Sequence, residues 1–361
     1  MSAKMKRVLM LIGVAFFGLA IAPIFIGLLL FPRAELPESV TVDYCAQYEI
    51  RFDASSVEAI YLHLQDILTD PERFLQEDQA YRLFVQHRER VHDPFPHDAW
   101  IKDIERLTST SDVKRRQQAP FRLHELILKN QNSFSREVVS NVLSYLPADV
   151  DIRVTIHLTA LEGSAPAYSD GQEIAISLSH PVFAVAQMIH EPTGLSAFYN
   201  LGLHELFHVY LNDIYDWPTV EEHMENEIVI DMLIALQNEG MATHISHQLN
   251  PRYPSPFEWF FYVVDQEPVV RLYIKEMNEL FAVAQTHPTG DAYEDIYRRL
   301  ALLCYQRKGF YVVGAYMTQK IETELGRDAL VQTISDGYYA FADTYNSIAN
   351  ENMKINFSTV P

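Results

Sequence analysis

Cysteine is nearly absent: two residues, Cys45 and Cys304, in a chain of 361. That excludes a disulfide framework and leaves either one bond or two free thiols. Internal repeats and low-complexity tracts are also missing, as is a glycine-rich loop of the kind that cradles phosphates, so repeat architectures and nucleotide binding drop out. Positive charge is scarce. The 28 Lys and Arg face 48 Asp and Glu, for a formal charge of −20. Lys4, Lys6, Arg7 and Arg33 supply four positive charges before residue 34 and no acid lies there, so the remainder carries −24. Such a body repels nucleic acid and anionic headgroups, and no nucleic-acid partner is expected.

Long apolar runs are lacking with one exception. Val8 to Phe31 is 24 consecutive residues without a charge, about 36 Å as a helix against a hydrocarbon core of about 30 Å. The basic segment 1–7 before it places the N-terminus in the cytoplasm by the positive-inside rule. The expectation is a transmembrane anchor over 8–31, hence a single-pass protein held to the membrane through that helix, with everything after it periplasmic or extracellular. A cleaved signal peptide shares the basic start, but its apolar core is about 7–15 residues and ends at small residues. This run leaves through Leu28-Leu29-Leu30-Phe31-Pro32-Arg33.

Histidine, by contrast, is placed with a pattern. His204-Glu205-Leu206-Phe207-His208 matches H-E-x-x-H, in which a helix holds zinc and a general base. At 3.6 residues per turn, His204 and His208 fall one above the other, and Glu205 sits about 100° around the helix, where it can take a proton from water. Thr193 and Gly194 can start such a helix, the apolar residues from Leu201 to Leu211 sustain it, and Asp213 to Pro218 stops it. The motif lies about 170 residues beyond the apolar run, so its chemistry belongs in water rather than inside a bilayer.

Zinc that does chemistry needs a third protein ligand and an open position. The metzincin continuation requires Gly at 211 and His at 214, where this chain has Leu211 and Ile214. The next helical stretch, 221–248, offers Glu239, with Glu225, Glu227, Asp231, His223 and His244 open as other third ligands. Asp231 can equally serve as a hydrogen-bond partner of a ligand imidazole. Gly240 inside a helix costs about 1 kcal/mol relative to Ala, so its presence predicts a close backbone approach, most simply by the metal helix.

Asn238-Glu239-Gly240-Met241-Ala242 resembles the N-E-x-x-A second motif of the gluzincins, the thermolysin-like and aminopeptidase-like zinc peptidases. The resemblance implies Zn²⁺ held by His204, His208 and Glu239, Glu205 as general base in hydrolysis of a peptide or protein substrate, and a downstream Tyr or His donating to the oxyanion. With Gly309-Phe310-Tyr311-Val312-Val313-Gly314, the chain looks like a little-characterised group of bacterial zinc-dependent peptidases over residues 150–345. Tyr311 is then the donor, with Tyr316 behind it. Gluzincin aminopeptidases usually carry G-x-M-E-N upstream of the metal helix. Here Met224-Glu225-Asn226 lies downstream without the Gly, which favours an endopeptidase over an aminopeptidase. A catalytically inactive, tethered zincin-fold binding protein is the other alternative, against which Glu205 argues because ligation does not need it.

Elsewhere, Ser55 and Glu58 form a capping-box signature, and Val57, Ile60, Tyr61, Leu64, Ile67 and Leu68 recur at helical spacing. Residues 151–159 and 172–179 alternate with the period of strands, the second in the place where zincins pair an extended peptide with the sheet. His157, His180, His190, His244 and His247 are read as structural, and no second zinc site is expected. The expected fold class is α+β, mainly helical. It comprises a transmembrane helix, a helical region over 40–148, and a zincin-like metallopeptidase domain over 149–350 with a small antiparallel or mixed sheet. Nothing in the sequence indicates an oligomeric state.

Overall fold

The computed structural model describes residues 48–90, 98, 101–102, 104–105, 119–147, 152–160, 166–183, 194–214, 220–249 and 259–357. All fall within one unit, Thr41–Pro361. In chain order they form β1 (Tyr48–Asp53), α1 (Ser55–Leu62), α2 (Leu64–Thr69), α3 (Pro71–Glu77), α4 (Gln79–Arg90), α5 (Ala119–Leu143) and β2 (Ile152–Thr159). Then come β3 (Ala167–Asp170), β4 (Glu173–Ser177), α6 (Gly194–Ile214), α7 (Val220–Leu249), α8 (Trp259–Val264), α9 (Glu267–Ala284) and α10 (Asp291–Ala301). A π-helical turn, Leu302–Gln306, leads into α11 (Gly309–Leu325), and α12 (Arg327–Ile348) is kinked at Gly337. The protein is mostly helical α+β with a small mixed sheet.

The sheet order is β1-β2-β4-β3. β1 and β4 flank β2 in parallel, and β3 closes the far edge antiparallel to β4. Ile156 and Ile174 sit side by side at its buried centre, the fate of alternating apolar residues on a half-covered sheet. His157 fastens three strands. Its Nδ1 lies 2.9 Å from Asp53 Oδ2 on β1 and its Nε2 lies 3.3 Å from Glu173 Oε1 on β4.

Three sequence expectations change here. Strand β1 lies in the stretch read as helical, and its parallel partner is a hundred residues away, a pairing no local pattern announces. The segment read as a peptide-accepting strand, β4, is interior, hydrogen-bonded on both sides; among the described residues the edge strands are β1 and β3. The helix expected from Ser55 onward is broken at His63, and Ala54 rather than Ser55 precedes its first turn. There the Asp53 carboxylate accepts from the Ser55 amide at 2.9 Å, taking the role assigned to a capping box.

The fold class needs a larger correction. An architecture led by a transmembrane helix, and with it a single-pass membrane location, is not supported, because among the described residues no helix is long and apolar enough to cross a membrane. The anchor expected at 8–31 lies outside the described residues. Length alone does not make a span: α7 has 30 residues but carries Glu221, Glu222, Glu225, Glu227, Asp231 and Glu239. An acid at the centre of a bilayer costs about 2.5–3.5 kcal/mol. The apolar faces of α5, α6, α7 and α11 are instead spent on one another and on the sheet, in a core that includes Phe134, Phe198, Leu206, Phe207, Leu236 and Val313.

Candidate metal centre

Helix α6 is apolar on nearly every side, with Leu203, Leu206, Phe207, Val209, Tyr210 and Leu211 all buried. It packs between α5, α7 and the β3 end of the sheet. Enclosure on this scale puts His204 and His208, one turn apart, at the inner wall of the fold rather than on a wet face. Their rings meet edge to face at 4.5 Å, with the Nε2 atoms 3.0 Å apart. From α7, Glu239 brings Oε2 to 3.2 Å from His204 Nε2 and 3.5 Å from His208 Nε2.

Those three separations test whether a metal fits. A tetrahedral zinc site with arms of about 2.0–2.1 Å holds its ligand atoms about 3.3 Å apart, and the observed values bracket that figure. Among the described residues this trio forms the group of His, Cys, Asp or Glu able to share one ion. Glu239 Oε2 is also buried with no hydrogen-bond partner among the described residues. Left alone, such an oxygen is costly; a cation facing all three donors satisfies it. Among the described residues the donors number three, the number that leaves a fourth position on a tetrahedral zinc open.

The neighbours prepare the donors. His208 Nδ1–H donates to Asn238 Oδ1 at 2.6 Å, which fixes the tautomer and turns Nε2 towards the centre. Burial opposes protonation of His208, but the Glu239 and Glu205 carboxylates and the Asn238 bond outweigh it and raise the imidazole to about 9. Burial likewise opposes ionisation of Glu239, yet the two imidazoles hold it well below the usual carboxylate range. Proton and metal therefore compete for one anionic pocket. The Tyr311 ring stacks on His204 at 5.7 Å with an interplanar angle of 6°, and its hydroxyl hydrogen-bonds Glu239. Burial, then the charges of Glu239 and Glu205, push that phenol well above its ordinary range, so it stays a donor.

The family described as "Putative zinc dependent peptidase (DUF5700)" matches residues 58–354. The chain belongs to that family. Zinc is the metal of this DUF5700 peptidase family, and the matched span contains α6, α7 and α11, the three helices that build the centre. No curated protein and no solved structure matches the chain.

Of the remaining sequence candidates in this DUF5700 chain, those whose side chains are described are occupied elsewhere. Glu227 accepts hydrogen bonds from Tyr293 and Tyr297 at 3.0 and 3.1 Å, and Asp231 accepts from Tyr297 at 3.3 Å. His244 lies 2.5 Å from Glu322 on α11. Tyr316 packs edge-on against Tyr345. The side chains of His223 and Glu225 lie outside those described, as does Cys45, while Cys304 is a free thiol.

Glu205 is buried beside His204, and its charge is felt at His208 and Tyr311. Three neighbours were not tied to the centre by the sequence. Asn238 stood inside the second motif without a role, and Lys308 and Cys304 precede α11 in a stretch with no recognisable pattern. Burial, then the Glu239 charge, push the Cys304 thiol up to about 12, so it stands neutral near the ligands.

Proposed function

We propose that this chain is a gluzincin-type zinc metallopeptidase that hydrolyses peptide bonds of peptide or protein substrates. His204, His208 and Glu239 would hold the ion, Glu205 would be the general base, and Tyr311 would donate to the oxyanion. The observation that carries the reading is the trio of donor atoms at mutual distances of 3.0, 3.2 and 3.5 Å, with Glu205 one residue from the first of them. When bound, zinc supplies a Lewis acid and lowers the pKa of water towards neutrality.

The residues divide the remaining work. Glu205 accepts a proton from the attacking water and returns it to the leaving amine. Its buried position keeps competing solvent away and strengthens every charge interaction around it. Tyr311, protonated at all working pH values, directs a hydroxyl towards the place where negative charge develops on the scissile carbonyl. Asn238 keeps His208 in register. An extended substrate would lengthen the sheet at edge strand β3, the strand against which α6 packs.

Zinc content and peptide hydrolysis measured on the same preparations test this. Glu205→Gln should retain one zinc per chain and lose about 10²–10⁴-fold in turnover. A zinc-free native protein, or undiminished turnover in Glu205→Gln, overturns the assignment.

A further inference from the structure

Lys308 occupies an uncomfortable place. It immediately precedes α11 in the left-handed region, at φ 54° and ψ 31°, a conformation that glycine or asparagine adopts at lower cost than lysine. Its ammonium lies 4.1 Å from the centroid of the Tyr311 ring, and that ring stacks on His204 at 5.7 Å. The cation therefore stands within two ring spacings of a candidate ligand, a distance that about three extended residues span. Two groups that feel its charge are neutral. His180, in the turn after β4, is driven down to about 4 by burial and then by the Lys308 charge, and the Cys304 thiol is un-ionised. Among the described residues no carboxylate forms an ion pair with Lys308.

A divalent ion held by two neutral imidazoles and the Glu239 carboxylate keeps one positive charge, and the neighbouring Glu205 carboxylate balances it, so the centre has no negative charge to spare for Lys308. Lys308, half-buried and resting on the Tyr311 face, is left with a cation–π contact that returns only about 0.5–2 kcal/mol. An anionic group of a substrate reaching the metal centre would give that ammonium the ion pair it lacks among the described residues. The chain as a whole carries −20, which disfavours anionic ligands at long range, but that field is screened beyond about 8 Å in physiological salt. A local cation is what a site in so acidic a protein needs if it is to hold a carboxylate.

We propose that Lys308 is a specificity residue that binds a carboxylate of the substrate, within about three residues of the bond facing the His204–His208–Glu239 centre. The carboxylate is either the peptide's own C-terminus or an acidic side chain. This deepens the peptidase reading, and it is tested separately by binding.

The experiment uses the full-length, zinc-loaded chain carrying Glu205→Gln, titrated with matched peptides that differ only in Glu against Gln against Lys, each with a free or an amidated C-terminus. Carboxylate-bearing peptides should bind about ten-fold more tightly than their neutral partners, a difference of about 1.4 kcal/mol, and the margin should shrink as salt rises. Lys308→Arg should keep the margin, Lys308→Gln should reduce it to two-fold or less, and Lys308→Glu should reverse it in favour of the Lys peptides. Loss of the margin on amidation identifies the C-terminus as the anion; persistence identifies the side chain.

Equal binding of all peptides to the Lys308 chain, no binding of any, or an undiminished margin in Lys308→Glu overturns the proposal. Should Lys308→Glu fail to fold, the Arg and Gln variants, checked for zinc content and circular dichroism, decide between the same outcomes. If the charge-dependent binding holds but the chain with native Glu205 cleaves no peptide, the hydrolase reading fails and carboxylate recognition stands. Hydrolysis without charge preference has the opposite meaning.

Discussion

Gly240 and Gly314 touch backbone to backbone where α7 crosses α11. A Cβ built on Gly240 would stand 2.3 Å from the carbonyl carbon of Gly314, and one on Gly314 would stand 2.1 Å from the Leu236 carbonyl oxygen. Atoms that close are backbone and cannot swing aside. The crossing sets Glu239, one residue from the contact, against Tyr311, one turn from it. Gly240→Ala gains about 1 kcal/mol of helix propensity, but overpacking costs about 1–3 kcal/mol or more, and with backbone on both sides the clash wins. We expect a net loss on the order of 2 kcal/mol in the denaturant midpoint, together with weaker zinc retention. A stabilised variant with intact zinc affinity would show that the two helices can part at no cost.

This contact also marks where sequence reading stops. An in-helix glycine announces that a neighbour comes close, and one does; it says nothing about which. The expected neighbour was α6, whereas the neighbour is α11. The bounds of α6 and α7 were legible because apolar spacing and the residues flanking each helix are local signals. Strand β1 carried such a signal, with Ile50 and Phe52 alternating with Glu49, Arg51 and Asp53, but it is short and runs straight into Ser55. Its pairing with Ile152–His157 is a long-range fact. The two histidines were legible by spacing and Glu239 through the resemblance of its motif and the glycine beside it, and the structure brings the three donor atoms together. Lys308 was not, since a cation's meaning lies in what faces it.

Asn238 offers a quieter test of the centre. It bonds the far nitrogen of His208, so Asn238→Ala should leave the fold intact while His208 loses its tautomer preference and its orientation. Partners of this kind are worth about 10–100-fold in metal affinity. Competition with a calibrated chelator reads that directly. Unchanged affinity would mean that burial alone orients the imidazole.

The ion-pair cluster at the other end of α11 sets the acid stability. Glu322 receives His244 Nε2 at 2.5 Å, Arg327 Nε at 2.8 Å and the Tyr145 hydroxyl at 3.1 Å. Burial opposes its ionisation, but these partners hold it at about 2. The unfolded chain, with an ordinary Glu near 4.3, takes up the proton first as pH falls. The contribution is therefore complete above about pH 5 and disappears as pH drops from about 4 towards 2. Glu322→Gln should flatten the acid limb of a stability–pH curve over that window and lower the plateau above it. A limb of unchanged slope would place the acid sensitivity elsewhere, for instance at Asp53, which burial opposes but His157 more strongly favours as the anion.

Tyr311 separates a chemical role from a packing one. Its ring lies flat on His204 and beneath Lys308, so removing the whole side chain would disturb ligand, cation and donor together and teach little. Tyr311→Phe keeps the ring, the stack and the cation–π face and deletes only the hydroxyl. If that hydroxyl meets charge that exists only in the transition state, kcat should fall by about 10²–10³-fold while KM and zinc content hold. The hydrogen bond to Glu239 complicates the expectation in a useful way. Were the hydroxyl's work merely to steady that carboxylate, the variant would bind zinc more weakly, and excess zinc would restore the rate. A loss of kcat that added zinc leaves untouched assigns Tyr311 to the oxyanion, and one that zinc repairs assigns it to the ligand.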